Sequence, residues 1–362
     1  MKRGIYLMVI CLMLSVPAMA VDVGAAQADM FAADSLWDGM SDRTLAIMGM
    51  YDPLVQTDFS EGVETILSDA VSQSGGVVKT TLSVMLRIFV SLVLCRLAGT
   101  FGGEKSAATA TLVGALSIMV CCVSDIRSMI GLGQSVMEEI SSFSTLLLPV
   151  LAAAAAASGA AASGGAIYAV TALFCDILIR ICRYLLVPLV YAFLALGLAD
   201  GALGQNRLAK LQELIGWIVK TLLKAVLYLF TGFLAATGVI SGAADAAALK
   251  AARLTISGMI PVVGGIVSDA SESLLASAGV LKGAIGTFGM LAVLSIFVLP
   301  FMQLGISYLG FKFTAAVGGL LQSGQDRFLD SITGAMGYLL AMVGSCTVMA
   351  LIACCCMIRV AV

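Results

Sequence analysis

Arg253 to Pro300 reads RLTISGMIPVVGGIVSDASESLLASAGVLKGAIGTFGMLAVLSIFVLP, and its change of character decides the fold. The first part is polar and punctuated by glycine, with Asp269 and Glu272 in a serine-rich patch; the last part is apolar enough to enter a bilayer. Ile266, Ala270, Leu274, Ala278 and Leu281 recur at spacings of three and four, which puts them on one helical face. Pro261 and the Gly264-Gly265 pair break the chain before that helix. The pattern predicts an amphipathic, non-spanning element over 253–283 that runs along the membrane surface and feeds a transmembrane helix. It suits either a plain surface helix between spans or a partner-docking face built from Ile266, Asp269, Ala270, Glu272, Leu274 and Ala278. Helices that lie on lipid usually carry Lys and Arg on the polar face. Asp269 and Glu272 stand there instead.

Working outward, the whole 362-residue chain has the same apolar bias. Hydrophobic residues make up 60%, charged residues 12%, and the mean hydropathy is +1.05. A soluble globular chain carries about 25% charged residues, so the composition predicts an all-α, polytopic integral membrane helical bundle. Between Val21 and Ala70 stand ten acidic residues and one basic residue, Arg43. From Val71 onward basic residues outnumber acidic ones, 17 to 12. An acidic lead into a mildly basic membrane domain fits a short exported N-terminal region.

Met1 to Ala20 has the layout of a signal peptide: Lys2 and Arg3, an apolar core from Ile5 to Val16, and an Ala18-Met19-Ala20 cleavage signal. An uncleaved anchor has the same features. Residues 21–79 then form the exported acidic region, in which Phe59, Val63, Ile66 and Leu67 share a helical face. Residues 80–252 form the first half of the membrane domain and 284–362 its C-terminal spans. Judged against the ~20 apolar residues that cross a bilayer, eight segments stand out. They are Thr80–Ala98, Ala108–Val123, Phe143–Ala162, Ala166–Leu198, Leu214–Ile240, Ala284–Pro300, Leu304–Leu321 and Ile332–Ile358. Arg207, Lys210 and Arg359 favour cytoplasmic placement of their neighbourhoods, so an exported N-terminus and a cytoplasmic C-terminus call for an odd number of crossings. Ala166–Leu198, interrupted by Asp176, Arg180, Arg183 and Pro188, fits a tilted span, a broken pair or a re-entrant segment.

Charges inside apolar segments cost about 2.5–3.5 kcal/mol each at a helix centre, so they face protein or water. Asp176 and Arg180 stand four apart and can pair. Lys220 and Lys224 also share a face, but need a carboxylate, a lipid phosphate or a wet cavity. These four are candidates for a conduit lining; snorkelling at the interface beside a local ion pair is the plainer reading. Small residues recur at Gly99/Gly103, Gly197/Gly201, Gly238/Gly242 and Gly279/Gly283, which favours close helix packing and a homo-oligomer.

Several chemistries are absent from the sequence. There is no histidine, which removes histidine bases and histidine-ligated metals. The ten cysteines, among them Cys354-Cys355-Cys356, lie in apolar stretches without a CxxC pair and read as small core residues rather than a disulfide framework or metal site. No GxxxxGK[ST] loop, GxSxG elbow or HExxH helix occurs. No catalytic residue, cofactor or metal site is therefore expected, nor any nucleic-acid partner.

The run Ile260-Pro261-Val262-Val263-Gly264 through Ser268-Asp269-Ala270, within Arg253 to Gly289, resembles the signature region of the stage III sporulation protein AE family. The order of signal peptide, polar exported region and multi-span domain is similar too. The resemblance implies a mother-cell membrane protein of an endospore-forming bacterium, facing the forespore. It implies partners as well: other membrane proteins of the stage III complex, a separate secretion-type ATPase, a ring-forming protein, and stage II sporulation protein Q from the forespore. Together these form a channel-like, secretion-like complex that supports late forespore development. A secondary transporter or ion-conducting membrane protein is the alternative, motivated by the intramembrane charges.

Overall fold

The computed structural model describes residues 35–101, 103–157, 163–203, 208–236, 264–320 and 326–359. The signal peptide and all of 237–263 therefore lie outside the described residues, and in 264–282 only the helical backbone is described. The described residues form α1 (Ser35–Asp38), α2 (Asp42–Met48), α3 (Phe59–Phe101), α4 (Gly103–Ala157), α5 (Ser163–Ile181), a π-helical turn (Cys182–Leu186), α6 (Val187–Leu203), α7 (Ala209–Ala236), α8 (Gly264–Leu320) and α9 (Asp326–Arg359). No strand occurs among them. The chain is an all-α, polytopic membrane bundle.

Among the described residues six helices are long and apolar enough to cross a membrane: α3, α4, the joined α5–α6, α7, α8 and α9. Eight apolar segments in the sequence thus fall on six helices. Ala108–Val123 and the start of Phe143–Ala162 share α4, and Ala284–Pro300 continues into Leu304–Leu320 within α8. In α4 the polar stretch between the two segments holds its helix because Ile126, Ile130, Gly133, Met137, Ile140 and Ser144 alternate by four and three and are all buried. In α8 the chain passes through Pro300, which is buried among packed helices. Packing from all sides holds a helix whose hydrogen-bond ladder proline interrupts. With 57 residues α8 is about 85 Å long at 1.5 Å per residue, far more than a ~30 Å hydrocarbon layer consumes.

α8 and α9 are the centre of the bundle, with 61% and 56% of their most apolar windows buried against 22–33% for the others. The registers are simple. α8 runs antiparallel to α4, with Gly289 against Leu147 and the Ser307 hydroxyl 3.5 Å from the Met129 sulfur. It runs antiparallel to α9, through Gly337 against Tyr308, Gly344 against Phe301, and Cys355 3.5 Å from Met290. It runs parallel to α3, through Gly62 against Leu291 and Gly310 against Thr81 and Met85. Each of these contacts has a glycine or a small polar residue on one side, which lets backbones approach where lipid offers no hydrophobic drive between helices. Gly197 of α6 is the tightest case. A Cβ there would collide with Ser331, whose hydroxyl accepts a hydrogen bond from the Gln212 amide at 2.7 Å.

The first and last described helices meet near Phe288 and Met290, in the middle of α8. Trp37 of α1 packs edge-on against Phe288 at 5.3 Å, and Cys355 near the end of α9 touches Met290. The two therefore share one side of the bundle, where the positive-charge pattern places them on opposite sides. Six crossings return the chain to its starting side; an odd count would need another crossing among residues outside those described.

Candidate functional site

One turn of α4 carries Glu138, Glu139 and Ser141, and each reaches a different part of the protein. Glu139 faces the acidic N-terminal region. Its Oε1 accepts from the Ser41 backbone N–H at 2.9 Å and from the Thr44 hydroxyl at 2.5 Å. Ser41 is the N-cap of α2, its hydroxyl accepting from the Thr44 N–H. Arg43, in the first turn of α2, is half-buried, and its Nε has no hydrogen-bond partner. Burial lowers its pKa, opposed by the carboxylates of Glu139 and Asp69. Around these polar contacts Leu36, Ile47 and Met48 are buried. The N-terminal helices are thus seated on α4 and α8 by apolar packing, with Glu139 fixing the position of α2.

On its other side the same turn meets α5 and the π turn. Glu138 pairs with Arg183 at 3.3 Å. Ser141 donates to Asp176 Oδ1, while Arg180 Nε donates to Asp176 Oδ2 at 2.6 Å. Both oxygens of Asp176 are engaged and the carboxylate is largely covered, whereas Arg180 is exposed. The π turn explains how Arg183 reaches Glu138. Pro188 has no N–H to give, and just before it the Val187 N–H bonds to the Cys182 carbonyl, five residues back. The extra residue in that turn shifts the register of Arg183 relative to Arg180. The Ala166–Leu198 stretch is accordingly one continuous helical run, its only irregularity this wide turn.

Lys220 and Lys224 belong elsewhere. The Lys220 ammonium lies 5.8 Å from the centre of the Tyr338 ring on α9, and neither lysine forms an ion pair among the described residues. Asp176–Arg180 and Lys220–Lys224 are therefore not brought together. The side chains of Ile266, Asp269, Ala270, Glu272, Leu274 and Ala278 lie outside the described residues; their backbone is part of α8. The residues that sequence reasoning passed over are Arg43, Glu138, Glu139 and Ser141. Their signal was two adjacent acids opposite a four-three apolar repeat, the sign of a packed helix with a functional polar side.

This seam holds two ion pairs and the Ser141–Asp176 hydrogen bond, and no group of three metal-ligating side chains occurs among the described residues. Its geometry joins three structural units through one helical turn. Fold and seam together are those of a polytopic helical membrane protein. The sequence profile of the family described as Stage III sporulation protein AE matches residues 46–361, and the chain belongs to that family. It is 22% identical over 260 residues to the Stage III sporulation protein AE of Bacillus subtilis (strain 168), covering 71% of this chain and 65% of that protein. The match thus leaves about a third of the relative's length uncovered. No solved structure matches.

Replacing Glu139 by Ala removes the acceptor for Ser41 and Thr44, a loss of about 1–3 kcal/mol for a charged acceptor. Limited proteolysis between Gly49 and Asp58 is expected to run about tenfold faster or more in Glu139→Ala, while Glu138→Ala, which faces the π turn, leaves that rate unchanged. Equal rates in Glu139→Ala and the unaltered protein would remove Glu139 from this role.

Proposed function

We propose that the protein is a non-catalytic membrane component of a stage III sporulation complex, channel-like or secretion-like, that links mother cell and forespore and supports late forespore development. The family match across 46–361 carries this reading. A chain without histidine or a phosphate-binding loop has no evident means of using ATP itself, so the energy comes from a separate ATPase of the same assembly. In this reading the protein sits in the mother-cell membrane with its acidic N-terminal region exported, and the α4 seam fixes that region to the bundle. A transporter reading is favoured by one feature, the π turn flanked by Asp176, Arg180 and Arg183. Deleting the gene in its spore-forming host decides between them. Arrest after engulfment, restored by expression in the mother cell and not in the forespore, is the expected result. Normal spore counts would overturn the proposal.

Within that complex, 253–282 is the docking element and Ile266, Ala270, Leu274 and Ala278 its apolar face. Leu274→Asp is expected to leave the protein at normal level in the membrane yet abolish its co-purification with the other complex proteins. Loss of the protein itself would assign the face to packing within this chain.

A further inference from the structure

α7, α8 and α9 leave an open groove of about 520 Å³ on the bundle surface, away from the α4 seam. Its α9 side carries the small residues Gly337, Ala341, Gly344 and Ser345 between Leu340 and Val348, and its walls are Leu227 of α7 and Phe301 and Tyr308 of α8. At one end stand two cations. Lys220 lies against the ring of Tyr338, and the Lys312 ammonium lies 5.6 Å from the centre of the Tyr308 ring and 3.4 Å from its hydroxyl. Neither lysine forms an ion pair among the described residues. Lys224, one turn from Lys220 and on the face of α7 that carries Leu227, adds a third positive charge.

We infer that this groove binds an anionic phospholipid, its acyl chain along the small-residue stripe of α9 and its phosphate between Lys220 and Lys312. The charge decides the occupant. A partner helix would fill the small-residue floor equally well, but an apolar helix leaves two ammonium groups without a counter-charge beside lipid, which is costly. A phosphodiester supplies that charge on a molecule whose tail matches the groove. Anionic lipid adds roughly 1 kcal/mol per nearby lysine, and the Tyr308 hydroxyl, which lines the groove, adds a donor to the same phosphate. From Gly337 to Val348 the α9 lining runs 11 positions, about 16 Å at 1.5 Å per residue, enough for much of an extended acyl chain.

Trp217, exposed on α7 three residues before Lys220, is a natural reporter. The other tryptophan is Trp37, so Trp37→Phe leaves a single fluorophore. Reconstituted in phosphatidylcholine with a small fraction of brominated-chain phosphatidylglycerol, the full-length protein is expected to be quenched at least threefold more than with the same fraction of brominated phosphatidylcholine. Lys220→Gln/Lys312→Gln should bring that preference to unity while leaving quenching by pure brominated phosphatidylcholine unchanged, which shows that the bundle still inserts. Equal quenching by the two lipids, or a preference that survives the double substitution, overturns the proposal. So does a detergent-stable dimer that Ala341→Trp converts to monomer, which would give the groove to a second copy.

Discussion

Everything else in the bundle is arranged around the packing of α8 between α3, α4 and α9. In water, burial of apolar surface would drive such contacts; in lipid it does not, and close approach has to do the work. That is why glycines mark the contacts: Gly289 and Gly310 on α8 itself, Gly62 facing it from α3, and Gly337 and Gly344 from α9. The core they permit is completed by large side chains, with Phe288, Leu291, Ile296 and Leu304 buried on α8. Through these contacts α1, α2, the last described turns of α9 and the α4 seam acquire fixed positions.

The seam and the groove use charge in opposite ways. In the α4 seam Glu138 is paired with Arg183, and Asp176 on α5 with Arg180 and with Ser141 of α4, so these contacts hold α4, α5 and the wide turn in register. Around α7 the lysines lean on tyrosine rings and have no acidic partner among the described residues. One partner of each pair is exposed, Arg180 in one and Glu138 in the other, and exposed pairs contribute little stability, so what these contacts add is the relative placement of α4, α5 and the wide turn before Pro188.

The fold class could be read from composition alone, since 60% hydrophobic residues over 362 leave little but a membrane bundle. The pairing of Asp176 with Arg180 followed from their spacing. Other features needed the third dimension. Pro300 looked like the end of a span, because a single sequence does not show that helices on every side hold the chain straight. The stretch from Ser124 to Ser142 read as a connection by hydropathy, because averaging over a window hides a four-three repeat whose other faces are polar. Glu139 could not be found without α2 beside it: its partners, Ser41 and Thr44, lie more than ninety residues earlier. The meeting of the first and last described helices on one side of the bundle likewise rests on contacts of Phe288 and Met290 that no loop charge encodes.

Disulfide mapping across Pro300 tests the central packing most directly. Met129 and Leu147 on α4 are as far apart in sequence as Ser307 and Gly289 on α8, and the two pairs lie on either side of Pro300. In a variant with its native cysteines replaced, the double variants Met129→Cys/Ser307→Cys and Leu147→Cys/Gly289→Cys should both cross-link in native membranes under mild oxidation, while Met129→Cys/Gly289→Cys should not. Cross-linking of only one matched pair, or of the mismatched pair, would show that α8 bends or breaks at Pro300 and that the bundle is not built on a single continuous helix.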